Sequence, residues 1–243
     1  MSGYRPYGQD PGYTANVITE EQVREETNSF MMRVYNWMGV GLFLTGVIAM
    51  YVASSEELIE KLAGSDGLLM VMIFGQIGLV MALSWGINRI SAALAIIMFL
   101  AYAALNGVIF SFIFLAYTSS SIASTFFITA GTFGITSVFG YVTKRDLTGV
   151  GQFMFMGLIG IILASLVNLF FHNPMIYWVT TYLGVFIFVG LTAYDTQKIK
   201  TLAFAQLEGG EAASKAAIIG ALTLYLDFIN LFLFLLRIFG RRR

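Results

Sequence analysis

In ALTLYLDFINLFLFLLRIFG, residues 221–240, 20 residues pass with one acidic side chain, Asp227, and one basic side chain, Arg237. A helix of that length rises about 30 Å, the thickness of a bilayer's hydrocarbon core. Its apolar residues do not keep to one stripe, so the segment is not the surface helix of a soluble domain. Six further apolar runs precede it, near residues 30–54, 68–87, 90–117, 122–142, 153–171 and 176–194, and the last segment itself extends over 216–239. The whole chain agrees: of 243 residues 58% are hydrophobic and 12% charged, with a mean hydropathy of +0.78. The expected fold class is all-α, a polytopic membrane protein of seven transmembrane helices, with the lipid bilayer as its solvent.

The connections between these runs are short, so consecutive helices lie antiparallel and side by side. Small residues recur four apart at Ala103/Gly107, Ala130/Gly134 and Gly160/Ala164, a spacing that lets helix backbones approach closely in lipid. Residues 1–29 form a polar tail. It is expected to be a disordered tip followed by a short surface helix that starts at Thr19 with Glu20, Glu21 and Gln22. No basic start followed by an apolar run marks it as a cleaved leader. Residues 30–240 make the membrane domain and 241–243 a basic tail.

Basic residues in short loops set orientation. With the N-terminus inside, Arg5, Arg24, Arg33, Arg89, Lys144, Arg145, Lys198, Lys200 and Lys215 fall on the inner side, and only Lys61 lies in an outer loop. A cytoplasmic N-terminus follows. Arg237, Arg241, Arg242 and Arg243 disagree with that bias: either the last segment crosses against the rule, or it re-enters and returns its tail inside. The side of the C-terminus stays open.

A net charge of zero, 14 basic against 14 acidic residues, supplies no general basic surface for nucleic acid. The absence of cysteine excludes disulfides, thiolate metal sites and cysteine nucleophiles. His172 is the only histidine and sits in the outer-edge loop FHNPM, so no histidine metal site is expected. Serine–histidine chemistry has little to work with, and no enzyme activity is expected; two aspartates leave an aspartyl-type protease formally open, with loss of peptide cleavage on changing either one as its signature.

Charged groups inside apolar runs ask for a partner or a water-filled cavity. Asp227 is the clearest, with Asn230 on the same helical face. Asp195, in LTAYDTQKIK, lies where the sixth run turns polar, and its helix continues if Ile199 and Leu202 belong to it. The two helices are neighbours, so the two carboxyls can face one another. Two carboxylates in a low-dielectric setting do not both ionise easily; they share one proton and make a pH sensor. Once deprotonated they offer hard oxygen ligands to calcium, although a full site needs about six to eight oxygens. Asn230, carbonyls and water would complete it. An interhelical hydrogen bond or an ion pair is the plainer role for Asp227, and capping for Asp195. Arg89, after the second span, is either a snorkelling arginine or a latch that pairs with the aspartates. Arg237 is a snorkelling residue, a lipid-phosphate contact or a support to the pair. Gln76, Asn106 and Asn168 are expected to make helix-packing hydrogen bonds.

Four segments, FMMRVYNWMGVGLFLTG (30–46), TKRDLTGVGQFMFMGLIG (143–160), LTAYDTQKIK (191–200) and residues 221–240, resemble the Bax inhibitor-1 family, particularly its bacterial inner-membrane members. The resemblance implies a seven-helix fold whose last helix is central, wrapped by the other six as two three-helix groups. It also implies a pH-dependent calcium leak gated by an aspartate pair, Asp195 and Asp227 here. An arginine latch corresponds to Arg89 in INRIS, and Arg237 matches the arginine of the family's LLR segment. No resident cofactor is implied, only calcium as cargo. The chain departs from some relatives in lacking a glutamate in its second span, where Gln76 and Gly78 are nearest. Some bacterial members suggest an alternative: a non-transporting protein that binds and modulates a membrane-bound AAA protease through its N-terminal tail.

Overall fold

A computed structural model describes residues 19–204 and 210–243 of the chain, without the side chains at positions 66 and 204. The expected helix start is where the first helix begins: the Gln22 N–H donates to Thr19 Oγ1 at 3.3 Å while the Thr19 N–H donates to Gln22 Oε1 at 2.9 Å, a reciprocal cap that satisfies two otherwise free donors. From there α1 (Glu20–Ala53) runs 34 residues without a break. The separate surface helix expected ahead of the first span is instead the protruding start of that span. Nothing between Glu20 and Phe30 is a helix breaker, and 34 residues at about 1.5 Å each exceed the apolar core, so the excess projects from one face. The tail expected as a disordered tip and protease handle falls, over residues 1–18, outside the described residues.

The connection after α1 holds a short helix, α2 (Glu56–Ala63), not foreseen in the sequence. Ser55 caps it, and Leu62 buries itself with Val52 and Met72 in a small satellite cluster. Five spans follow: α3 (Asp66–Gly86), ending in a 3-10 turn Ile87–Arg89, then α4 (Ala92–Ala116), α5 (Ser119–Val142), α6 (Thr148–Phe171) and α7 (Pro174–Phe204). The last, α8 (Gly210–Phe239), takes the centre. Among the described residues, seven helices are long and apolar enough to cross a membrane. Their outer surface is built of exposed Phe43, Ile135, Phe153, Phe170 and Phe186, which only lipid solvates without penalty.

Helices α1, α4, α5 and α7 pack directly on α8; α3 leans on α4, and α6 on α7. The first three spans and the next three therefore form two groups around the last. Polar bonds tie each group to the centre. Tyr225, fully buried on α8, shares a hydrogen bond of 2.8 Å with Thr45 of α1, whose hydroxyl also reaches the Ala103 carbonyl of α4 at 2.8 Å. Phe99 and Tyr102 set their rings edge-on to the Tyr225 ring, with centroids 5.8 Å away.

Glycine decides the closest approaches. A Cβ at Gly107 would meet the Thr45 carbonyl oxygen at 2.8 Å, and one at Gly140 would overlap the Ala193 backbone. The first pair of small residues is thus a packing contact. Gly134 and Gly160 have nothing within 4 Å of a would-be Cβ, so these two glycines are not sites of close helix approach, although Ala130 does pack against the core. The neutral polar residues also differ from expectation: Asn106 donates to Tyr102 O of its own helix, Asn168 accepts from the Asn173 N–H at the turn, and the Gln76 Nε2 is buried without a partner. In each described bond the nearest acceptor or donor is local.

Helix α8 does not re-enter. It crosses the bundle and delivers residues 241–243 to the α4–α5 turn, opposite the start of α1. One side of the bundle thus carries the start of α1, the α5–α6 loop, the end of α7 and the start of α8, and the other the C-terminus.

Candidate functional site

Because α8 is central, a polar side chain on its α7-facing side has no route to water except through the protein. Asp227 is such a residue, 4% exposed. Asp195, half-buried on α7, brings its carboxyl within hydrogen-bonding reach of it. Two carboxyls can hydrogen-bond to each other only when one carries a proton. Among the hydrogen bonds from ordinary donors, none reaches the buried Oδ2 of Asp227. A carboxylate oxygen that no such donor reaches is costly in such a place and marks a position where a proton or a cation would find a ready acceptor.

The pair lines an open, mostly apolar cleft of about 580 Å³ between α6, α7 and α8, shared with Ser165, Thr223 and Asn230. Asn230 donates its Nδ2 to the Leu226 carbonyl at 2.8 Å, which fixes the amide on the cleft wall. The wall therefore offers two carboxyls and three neutral polar side chains. No cluster of three acidic, histidine or cysteine residues exists among the described residues, so a calcium ion here would keep much of its coordination as water.

The α7 segment that carries Asp195 is anchored by its neighbours. Thr196 shares a 2.9 Å hydrogen bond with Ser137 of α5, which in turn bonds the Tyr35 hydroxyl of α1. Gln197 holds the α5–α6 loop from both sides, accepting from the Leu147 N–H and donating to the Arg145 carbonyl, each at 2.8 Å. Lys200 donates to the Tyr141 carbonyl at 2.8 Å and lies over the Tyr141 ring. In the same loop Asp146 accepts from both the N–H and the hydroxyl of Thr148, which holds its carboxyl below the usual range. Sequence reading passed over these anchors. The signal was the density of polar residues in DTQKIK, where a 3.6-residue period sends each side chain to a different neighbour.

Not every expected partner arrives. Arg89 is exposed in the 3-10 turn after α3 and forms no ion pair with either aspartate among the described residues. The cation nearest Asp195 in sequence and acting on it is Lys198, one turn on. Arg237 is ten residues past Asp227, about 15 Å further along the axis. It lies 5.1 Å from the Phe234 ring centroid and 5.5 Å from that of Tyr177, so it does not support the carboxyls directly. His172 ends α6 in a left-handed conformation, φ 49°, as an exposed loop residue.

Residues 27–243 match the family described as Inhibitor of apoptosis-promoting Bax1. The chain belongs to the Bax inhibitor-1 family. All four segments that carried the resemblance fall inside the matched region, and so does the carboxyl pair. The chain is 50% identical over 224 residues to Inner membrane protein YbhL of Escherichia coli, covering 91% of this chain and 95% of that protein. It is 46% identical over 217 residues to an uncharacterized protein of Borreliella burgdorferi, covering 89% and 93%. With an uncharacterized protein of Rickettsia prowazekii it shares 43% over 235 residues, covering 95% and 98%. This Bax inhibitor-1 family member is thus a membrane protein matched along nearly its whole length by bacterial relatives.

Proposed function

We propose that this protein is a pH-sensitive leak pathway for cations, calcium foremost, in an inner membrane, with Asp195 and Asp227 as its titrating gate and its N-terminus on the cytoplasmic side. The observation that carries the reading is the facing carboxyl pair beside a cleft, with one buried oxygen that no ordinary donor reaches. With one proton between them the carboxyls bind α7 to α8. Loss of that proton leaves two like charges at close range, which separate the helices or accept a divalent cation between them. The anchors on Thr196, Gln197 and Lys200 hold α7 to α5 and the α5–α6 loop, so a change in the pair's charge acts on its seam with α8. The inner-membrane assignment is supported by the name of the Escherichia coli relative, and the orientation by the bias of basic loop residues.

The test is calcium flux into liposomes carrying the purified protein, from about pH 6 to about pH 8, with Asp195→Asn and Asp227→Asn beside the parent. A pH-dependent flux that both substitutions reshape is the expected result. Folded protein with no flux above empty liposomes at any pH overturns the leak; engagement of the N-terminal tail by a membrane-bound AAA protease, which needs no ion pathway, is then the function to measure.

A further inference from the structure

At the opposite end of the bundle the C-terminal arginines are held in place. The Thr118 N–H donates to the Arg241 carbonyl at 2.9 Å and the Arg243 N–H to the Ala116 carbonyl at 3.0 Å, so Tyr117 and Arg242 pair as an antiparallel bridge. Gly240 makes the turn possible, since a Cβ there would collide with the Tyr117 ring. In such an extended segment alternate side chains point to opposite sides. Arg242 turns to one side, with Tyr117 and Tyr177 near its guanidinium. Arg243 stands on the other, and the alternation puts Arg241 with it.

There Arg243 joins the lining of a cleft of about 640 Å³ between the ends of α1, α4 and α5. Met50, Phe114, Ile122, Phe126 and Phe127 form much of its wall, and Ser54 and Ser119 belong to the same lining. From Ser119 to Phe127 the wall follows α5 for about 12 Å, from the polar end of the helix into the apolar layer. None of the four C-terminal guanidiniums lies in a salt bridge among the described residues. A planar guanidinium at the boundary of an apolar cleft is suited to a phosphate group whose remainder is apolar.

We propose that this cleft binds one membrane phospholipid with a net negative headgroup, its phosphate against Arg243 and Arg241 and an acyl chain along Phe126 and Phe127. The bound lipid offsets the positive charge that the loop bias would otherwise keep on the other side of the membrane. This site is independent of the carboxyl pair and does not require the leak.

Native mass spectrometry of the purified full chain, titrated with phosphatidylglycerol or with phosphatidylcholine of the same acyl chains, tests it. The parent retains phosphatidylglycerol in preference to phosphatidylcholine. The double substitution R241Q and R243Q weakens phosphatidylglycerol retention by roughly tenfold, whereas Arg24→Gln, on the other side of the bundle, leaves it unchanged. Ala123→Trp, which fills the cleft and keeps every arginine, also lowers retention, and it tests the cleft even if the arginine variant does not fold. Equal retention of the two lipids by the parent, or undiminished phosphatidylglycerol binding by folded R241Q/R243Q, overturns the proposal. So does displacement of the lipid by glycerol phosphate at the same concentration, because the arginines would then be reading a free phosphate.

Discussion

Helices α6 and α8 are both long and strongly apolar, yet α6 lies on the rim against α7 while α8 fills the centre of the bundle. In water the more apolar helix would go inside. In lipid an apolar side chain is solvated equally well by acyl chains and by protein, so apolarity does not sort helices between rim and centre. Polar groups do. Helix α8 carries Tyr225, Asp227 and Asn230 through its middle, and each needs a partner that acyl chains do not supply. The middle of α6, from Phe153 to Ala164, has no such side chain, and it leaves Phe153, Phe155, Met156 and Leu163 exposed.

The largest effect expected from breaking this contrast is functional. Asp227→Asn removes the proton-sharing group from the central helix, and calcium flux in liposomes is expected to lose its pH dependence and change by about tenfold or more, the equivalent of a unit of proton affinity. Next comes packing. Gly140→Leu forces a side chain into the Ala193 backbone at the α5–α7 contact, and a loss of about 3 kcal/mol is expected in detergent unfolding. Gly160→Leu on α6, where a would-be Cβ meets nothing within 4 Å, is expected to change stability by less than about 0.5 kcal/mol. Equal losses from the two glycine variants would mean that α6 is not a rim helix. Thr45→Val is smaller than Gly140→Leu: it leaves the Tyr225 hydroxyl without the partner that joins α1 to α8, and about 1 kcal/mol is expected by the same measurement. Least of all, Gln197→Ala frees the α5–α6 loop from α7. The expected result is faster amide hydrogen exchange in that loop, read by mass spectrometry, with the unfolding midpoint little changed.

Much of the architecture was legible in the chain because length and hydropathy are local properties. All seven spans appear where their apolar runs lie, and the Thr19 cap begins α1 as its residues suggest. The continuity of α1 and the existence of α2 were not legible, because both depend on whether a polar stretch finds support beside a neighbour. Leu62 has it only through Val52 and Met72. Asp195 and Asp227 stood out by their cost in an apolar run, and the short α7–α8 connection made their helices neighbours, which allows the two carboxyls to face one another without requiring it. Arg89 was harder to place, since a loop arginine reaches several neighbours and sequence does not choose among them. Thr196, Gln197 and Lys200 were hidden for the opposite reason, being ordinary polar residues at the end of a span.

By itself, the sequence determined that this chain lives in a bilayer, how many times it can cross, and which few charged side chains demand an explanation, because transfer to lipid is a sum over residues near one another in the chain. The central place of α8 was implied by the family resemblance and is what the structure shows, whereas only tertiary contacts decided that Asp227 meets Asp195 while Arg89 stays exposed, and that the last arginines close back on the α4–α5 turn. Those outcomes depend on hydrogen bonds and close contacts between residues far apart in the chain, such as Thr45 with Tyr225, Gly140 with Ala193 and Ala116 with Arg243. Lipid solvates apolar faces without preference, so only such pairings distinguish one arrangement of seven helices from another.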